Sequence, residues 1–281
     1  MRESVATNSE IGFSPIAEIR AALSFLTRLP VERRSAGRTD EEPAEAIAAM
    51  ERAHPPASAT TGAGAFAVVG AVLGLVAGLP LVALGPGHAL VGALLAIGVL
   101  ALLDGGLHLD GLGDTFDALA APAGSEERAR TDPRAGTASV VAIVVLLAVD
   151  GAAVADLGAR SAPAGLAAIV LAAAISRAIA PLASTVAGGW RRSPAGLASW
   201  FVERTSSAQA VASVVTAVAL VLIVGVVVGP RSAAGAVIGS SLAGCVAIAI
   251  AAARHQLDGD GYGAIIELAF AAILVVSAIV A

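Results

Sequence analysis

Long apolar segments dominate this sequence and set the strongest limit on its fold. Of the 281 residues, 57% are hydrophobic and 14% are charged, and the mean hydropathy is +0.84. A helix needs about 20 predominantly apolar residues to cross a bilayer. About seven such segments follow residue 61, namely 62–84, 88–103, 136–155, 163–186, 207–229, 233–253 and 262–281. The predicted fold class is all-α, a polytopic transmembrane helical bundle of about seven spans. Because segment 88–103 is short and segment 136–155 contains Asp150, the number of spans could differ from seven by one.

Two regions follow from this pattern, an N-terminal segment at 1–61 and a single transmembrane catalytic domain at 62–281. The N-terminal segment is polar, and no charged stretch leads into an apolar one, so a cleaved signal peptide is not expected. Within it, Glu18 and Arg20 lie off an apolar stripe that has helical spacing. The stripe consists of Ile16, Ile19, Leu23 and Leu26. This pattern predicts an amphipathic helix that lies on the membrane interface and ends at Pro30.

The distribution of arginine predicts the orientation in the membrane. Seven arginines lie in 1–61, three in 104–135 and three in 187–206, whereas the alternate loops hold one each, Arg160 and Arg231. Short loops rich in positive charge stay in the cytoplasm. We therefore expect a multi-pass protein of the cell (inner) membrane, with the N-terminus and the polar loops on the cytoplasmic side and the lipid bilayer as its surroundings.

Composition also excludes several classes of protein. Every one of the 17 basic residues is arginine, so a P-loop lysine and a Schiff-base lysine are excluded. The one cysteine, Cys245, allows neither an internal disulfide nor a cysteine-rich metal site. With a net charge of −5 and no basic tract, nucleic acid is not expected as a partner.

An acidic cluster follows the second apolar segment, in LDGGLHLDGLGDTFDAL at 103–119. On a helix, Asp110, Asp114 and Asp117 are at i, i+4 and i+7 and share one face. Carboxylates so placed repel one another unless a cation lies among them, and oxygen ligands suit Mg²⁺. The spacing predicts a Mg²⁺ site, with a solvated polar loop as the alternative. Asp104 and His108, also four apart, form a second face and are candidates for proton transfer; His108 is alternatively a hydrogen-bonded interfacial histidine.

Downstream, the segment RARTDPRAGTAS at 128–139 precedes the third apolar segment. A turn of small residues at a helix N-terminus, beside an arginine, can bind phosphate. Asp132, Arg134 and Gly136 are therefore candidate substrate-binding residues. Anchoring by positive charge is the alternative role for Arg128 and Arg130.

Polar residues also interrupt the apolar segments themselves. Ser176 and Arg177 lie within 163–186, and an arginine inside a membrane span is costly enough to suggest a function. The alternative is a structural ion pair of Arg177 with Asp150. Asp260 and Glu267, at the start of the last span, are candidate contacts to substrate or metal; the alternative there is a solvated Gly/Asp turn followed by one tolerated acid.

The sequence resembles the cobalamin synthase (adenosylcobinamide-GDP ribazoletransferase) family from about residue 20 to the end. The shared motifs are FLTRLPV at 25–31, GGLHLDGLGDTFDAL at 105–119, DPRAGT at 132–137, SRAIAPL at 176–182 and GDGYGAIIEL at 259–268. Three positions depart from the family pattern: Pro133 replaces a serine, Gly261 a threonine and Gly113 an alanine.

The resemblance implies a membrane transferase of the last steps of cobalamin biosynthesis. It would join adenosylcobinamide-GDP to α-ribazole, or its phosphate, with release of GMP and a requirement for Mg²⁺. Asp110, Asp114 and Asp117 would then hold the metal, while Asp104, His108 or Asp117 would act in catalysis. Arg134 and Arg177 would bind phosphate oxygens of the substrate, with Arg28 as a further candidate. The other candidate substrate-binding residues are Asp132, Gly136, Ser176, Asp260 and Glu267.

Two rival functions remain open at this point. A CDP-alcohol phosphotransferase also uses membrane aspartates and Mg²⁺, but its DGxxAR signature is absent from DGLGDT. A small-solute transporter would place acids at mid-bilayer, whereas these acids gather toward one membrane face. The oligomeric state is also open, between a monomer, a homo-oligomer and an association with other enzymes of the cobalamin pathway.

Overall fold

The computed structural model describes residues 14–28, 60–130, 134–186, 191–192, 197–254 and 256–281. The helices are α1 (Pro15–Leu26), α2 (Phe66–Leu84), α3 (Ala89–Asp104), α4 (Leu107–Ala120), α5 (Glu126–Arg130), α6 (Thr137–Arg160), α7 (Ala162–Val186), α8 (Leu197–Arg204), α9 (Ser207–Val227), α10 (Pro230–Arg254) and α11 (Gly259–Val280). Single 3₁₀ turns, Ala63–Ala65 and Pro86–His88, precede α2 and α3. The strands β1 (Arg191–Arg192) and β2 (Gln256–Leu257) pair in parallel.

Within the described residues, 7 helical segments are long and apolar enough to cross a membrane. They are Ala63–Leu84, Pro86–Asp104, Thr137–Arg160, Ala162–Thr185, Ser207–Val227, Pro230–Ile250 and Gly259–Val280. The predicted multi-pass helical bundle is confirmed, with each span within a few residues of its expected place. Asp150 does not interrupt the third span, because α6 runs through it as one helix of 24 residues.

Helix α7 is the central element of the bundle. Its span is 72% buried, and it packs against α2, α6, α9, α10 and α11. The closest approach is to α2, where Gly70 and Gly74 face the α7 backbone: a Cβ on either would lie within 3 Å of Ala173 or Ile169. Small residues of this kind let transmembrane helices pack closely in lipid.

The loops that carry the sequence motifs meet at one end of the bundle. Because the spans alternate in direction, α1, α4, α8 and the β1–β2 pair all lie at the same end, which we call the motif end. The strand pairing, which joins the loop after α7 to the loop after α10, is direct evidence of this. Four aromatic rings also pack together here, with the centroids of contacting rings 4.6–5.7 Å apart, and they come from α1, α2, α8 and α11. They are Phe25, Phe66, Phe201 and Tyr262.

Helix α1 lies within the segment where the sequence predicts an amphipathic helix, but it ends at Leu26 rather than at Pro30, and its polar contacts differ from the expectation. Glu18, off the apolar stripe, is only 6% exposed, whereas Ile16 on the stripe is 72% exposed. The Glu18 carboxylate accepts hydrogen bonds from the Thr60 hydroxyl and from Gln209 Nε2 at 3.0 Å. The docking of α1 therefore depends on a buried carboxylate. The interfacial position of this helix stays a prediction. Of the predicted segment at 1–61, only residues 14–28, 60 and 61 are among the described residues.

Candidate functional site

A turn of two glycines joins α3 to α4. Gly105 and Gly106 have φ of 64° and 70°, a left-handed conformation that glycine adopts without strain. The spacing of Asp104 and His108 predicts one continuous helix face, which is wrong because the helix breaks between them. The turn nevertheless brings the two side chains together, with His108 Nδ1 3.4 Å from Asp104 Oδ2. The stem of Arg28, otherwise exposed, lies against Gly105.

Asp104 is also paired with the arginine of the central helix. Arg177 Nη2 donates to Asp104 Oδ2 at 2.5 Å, and Arg177 is 1% exposed. The alternative pairing of Arg177 with Asp150 is therefore wrong, because the guanidinium points to the end of α3 instead. Ser176 accepts from Arg177 Nη1 at 3.2 Å, so this serine, expected to bind substrate, supports the arginine in this structure.

Two acids of neighbouring helices complete this buried group. Glu267 lies about two turns into α11, with Oε1 3.9 Å from His108 Nδ1. Asp150 of α6, 1% exposed, lines the same cavity of about 20 Å³ as Asp104, His108 and Glu267. We call these side chains the inner cluster: Asp104, His108, Asp150, Arg177 and Glu267. Asp150 is not among the residues that the sequence selects as a site, although an acid inside an apolar span is itself a functional signal.

The three aspartates of α4 do lie on one continuous helix, as their spacing predicts. Asp110 is exposed, and Asp114 and Asp117 are partly buried. Asp117 has a further task, because its Oδ2 accepts from Gly136 N at 2.7 Å and its Oδ1 from Ser139 N at 2.9 Å. It therefore caps the N-terminus of α6. The expected metal or catalytic role of Asp117 stays a prediction beside this observed one.

Close packing brings the start of α11 against this acidic helix. A Cβ on Gly111 would lie 2.9 Å from the Asp260 backbone, and one on Gly263 would lie 2.9 Å from the His108 carbonyl. The backbone of Asp260 therefore packs against α4 at Gly111, while the expected contact of its carboxylate with substrate or metal stays a prediction. Gly113, where the related family has alanine, leaves space for Ser139, whose Oγ would be 2.2 Å from an added Cβ.

An open cleft lies beside the capped N-terminus of α6. Its volume is about 520 Å³, and its polar lining includes Asp117, Arg128, Arg134 and Gly136. Arg134 is exposed in this cleft, as its expected phosphate contact requires. Arg128, for which anchoring by positive charge is the alternative role, also lines the cleft. The Asp117 carboxylate already occupies the helix N-terminus, so the positive charge of the cleft comes from the two guanidinium groups. Such a cleft suits an anionic group. Asp132 lies outside the described residues.

Two sets of side chains offer metal ligands. The first, Asp110 and Asp114, lies one helical turn apart on α4 and offers only oxygen, the donor that Mg²⁺ prefers. The second set is buried: ligand atoms of Asp104, His108 and Glu267 all lie within 4.8 Å of one another. It includes an imidazole nitrogen, which Mg²⁺ rarely takes.

Comparison with known proteins agrees with the sequence motifs. The family model described as cobalamin-5-phosphate synthase matches residues 18–278. An adenosylcobinamide-GDP ribazoletransferase of Escherichia coli O17:K52:H18 (strain UMN026 / ExPEC) is 35% identical over 166 residues, which cover 58% of this chain and 60% of the relative. The protein of the same name from Alkalilimnicola ehrlichii is 38% identical over 168 residues, 57% of this chain and 58% of the relative. No solved structure matches the chain.

Proposed function

Because the chain belongs to the cobalamin-5-phosphate synthase family, we propose that it joins adenosylcobinamide-GDP to α-ribazole, or its 5′-phosphate. The products are adenosylcobalamin, or its 5′-phosphate, and GMP. The matched segment spans 60% of the length of the Escherichia coli relative, whose name states the ribazoletransferase activity. The observation that carries the proposal is the acidic face of α4 beside a cleft lined by Arg128 and Arg134. The family match also favours this transfer over a CDP-alcohol phosphotransferase or a transporter.

The proposed step exchanges one phosphorus–oxygen bond for another. A ribazole hydroxyl oxygen attacks the pyrophosphate phosphorus nearest cobinamide, the bond from that phosphorus to the GMP oxygen breaks, and the hydroxyl proton leaves to a base. In such transfers the protein contributes mainly position and neutralisation of charge. Both contributions have candidates at the motif end of this bundle.

We assign the metal to the oxygen face of α4. Asp110 and Asp114, with Asp117 as the further predicted ligand, would hold Mg²⁺, which when bound neutralises charge on the pyrophosphate. The helix positions these carboxylates because Asp117 is tied to the first turn of α6 and Gly111 packs on α11. Asp260 approaches from α11 and adds a further oxygen donor to the same surface.

The phosphate contacts come from the neighbouring arginines. Arg134 and Arg128 line the cleft at the start of α6, and Arg28 reaches the glycine turn from α1. A guanidinium group binds phosphate oxygens through two parallel hydrogen bonds. Arg177 has a different place, buried against Asp104, and from there it fixes the end of α3. The proposed role of Asp132 beside Arg134 follows from the motif alone.

The predicted proton acceptors belong to the inner cluster. Asp104 is 3% exposed and His108 4%, and the cavity beside them has room for about one water molecule. A hydroxyl that is to be deprotonated there must reach this cavity from the α4 surface. Proton transfer by Asp104 or His108 therefore stays a prediction of the sequence.

The proposed location is the inner membrane, with the motif end in the cytoplasm. The support is the excess of arginine in the loops of that end. Guanine nucleotides are cytoplasmic, so the substrate would meet the cleft there.

The test is release of GMP by the purified protein in lipid nanodiscs, supplied with adenosylcobinamide-GDP and either α-ribazole or its phosphate. We expect GMP with at least one acceptor, its loss on removal of Mg²⁺ with EDTA and its recovery when Mg²⁺ is restored. Asp114→Ala should abolish release, while Asp156→Ala, at the other end of α6, serves as the matched control and should retain it. Failure of the wild type with both acceptors would exclude the function, and near-normal release by Asp114→Ala would exclude the site.

A further inference from the structure

We propose that the inner cluster is a second metal site, which binds one divalent transition-metal ion and is separate from the Mg²⁺ face of α4. Its ligands are Asp104, His108 and Glu267, with Asp150 facing the same cavity. The inference does not depend on the ribazoletransferase function, since it follows from the buried side chains alone.

The first observation is a set of buried polar atoms that form no hydrogen bond. Among the described residues, Asp104 Oδ1, His108 Nδ1 and Asp150 Oδ1 are fully covered and lack a hydrogen-bond partner. Leaving one such atom unsatisfied costs about 1–3 kcal/mol, and more if it carries charge. All three residues line the cavity of about 20 Å³ that also borders Glu267. A cation held by Asp104, His108 and Glu267 would supply the missing partner to the first two, and Asp150 borders the same cavity.

The second observation is the imbalance of charge. Three carboxylates line this cavity, and the guanidinium of Arg177 pairs with one of them at 2.5 Å. Arg177 is bound to Asp104 Oδ2, so Oδ1 of the same carboxylate remains available for a metal. A dication would neutralise the group with the imidazole uncharged. Buried charge inside a membrane span needs such compensation.

The donor set and the space select the class of metal. Ligand atoms of Asp104, His108 and Glu267 lie within 4.8 Å of one another, so modest side-chain rotation brings them around one ion. Imidazole with carboxylates suits Zn²⁺ and its first-row neighbours. Mg²⁺ keeps several waters in its coordination shell, for which the cavity has no room. Arg177 holds the ligand carboxylate from outside the coordination shell, as partners of metal ligands commonly do.

The bound ion would join helices that are far apart in the chain. Asp104 ends α3, His108 begins α4, Asp150 is in α6 and Glu267 is in α11. Such an ion would fix the glycine turn and hence the direction in which α4 presents its aspartates. The site thus has a structural role close to the proposed Mg²⁺ face.

The test measures metal directly. Wild-type protein in nanodiscs is stripped with a chelator, incubated with Zn²⁺, desalted and analysed by mass spectrometry for zinc per chain. We expect one zinc in the wild type and in Asp156→Asn, the matched control from the same helix as Asp150. Zinc should be lost in Glu267→Gln and reduced in Asp150→Asn. Asp114→Asn should keep its zinc even though GMP release stops, which separates this site from the proposed Mg²⁺ face.

A second measurement needs no variant. Co²⁺ added to the stripped wild type should give visible d–d absorption at one equivalent, and Zn²⁺ but not Mg²⁺ at equal concentration should displace it. Absence of bound zinc and of the cobalt spectrum in the wild type would show that protons alone compensate these carboxylates, and would overturn the proposal. Equal zinc in the wild type and in a Glu267→Gln/Asp150→Asn double variant would also overturn it, as adventitious binding.

Discussion

The cap that Asp117 places on α6 gives a quantitative prediction. Its carboxylate accepts from Gly136 N at 2.7 Å and Ser139 N at 2.9 Å. Hydrogen bonds to a charged group contribute about 1.5–3 kcal/mol each when buried, but Asp117 is only partly buried and water can replace part of the loss. We expect Asp117→Ala to destabilise the first turn of α6 by about 2 kcal/mol. That value corresponds to about a 30-fold larger opening constant.

Hydrogen exchange measured by mass spectrometry on the 136–140 segment reports this opening directly. Asp117→Asn keeps one carbonyl oxygen as an acceptor, so its effect should be about half as large in free energy, or about fivefold in exchange. The control is Asp156→Ala, which removes a 2.7 Å ion pair with Arg160 whose side chains are 48% and 51% exposed. Exposed pairs contribute little, and exchange at 136–140 should not change.

Unchanged exchange in Asp117→Ala would refute the capping argument. If the Mg²⁺ concentration needed for GMP release rose at the same time, the carboxylate would be acting as a metal ligand instead. Faster exchange with an unchanged Mg²⁺ requirement would assign Asp117 to the helix cap alone.

Three further predictions concern stability, measured as thermal unfolding in detergent. Gly105→Ala should destabilise the protein by about 1–3 kcal/mol because φ is +64° there. As the control, Gly98→Ala places its methyl group in open space and should be neutral or stabilising. Equal effects of the two substitutions would contradict the argument that the turn requires glycine. Arg177→Met should cost about 3–5 kcal/mol by leaving Asp104 buried without its cation, and adding Asp104→Asn should recover part of that loss. Tyr262→Phe removes a 2.6 Å hydrogen bond to α7 and should cost about 1 kcal/mol; an unchanged midpoint would show that this bond adds nothing to stability.

The number and the places of the spans could be predicted because hydropathy alone determines whether a helix belongs in lipid. The clustering of Asp104, His108 and Glu267 could be anticipated only as a set of polar residues near one membrane face. The contacts among these side chains could not be predicted, since hydropathy indicates how deep a residue lies in the membrane and not which residue it contacts. Arg177 illustrates the point: its burial follows from the sequence, but its partner is Asp104 rather than Asp150.

The role of Asp117 as a helix cap could not be predicted from the spacing of the aspartates either. Its position at i+7 from Asp110 predicts a shared face, which α4 does provide. The cap depends on where the chain returns 19 and 22 residues later, and no local pattern encodes that return. The break at Gly105 and Gly106 has a local cause, because adjacent glycines weaken a helix, yet the resulting turn still brings Asp104 and His108 together.

The four aromatic rings at the motif end have a consequence for biosynthesis. Phe25 lies near the start of the chain, while Tyr262 and Glu267 belong to the last span. During translation, therefore, the Tyr262 ring can meet Phe201 only once the seventh span has entered the bilayer. Asp104 and Arg177 can meet as soon as the fourth span is inserted, but the histidine beside them must wait for Glu267. A ribosome that stalls before this final helix would release a membrane protein that has most of its spans but lacks the Glu267 side chain of the inner cluster.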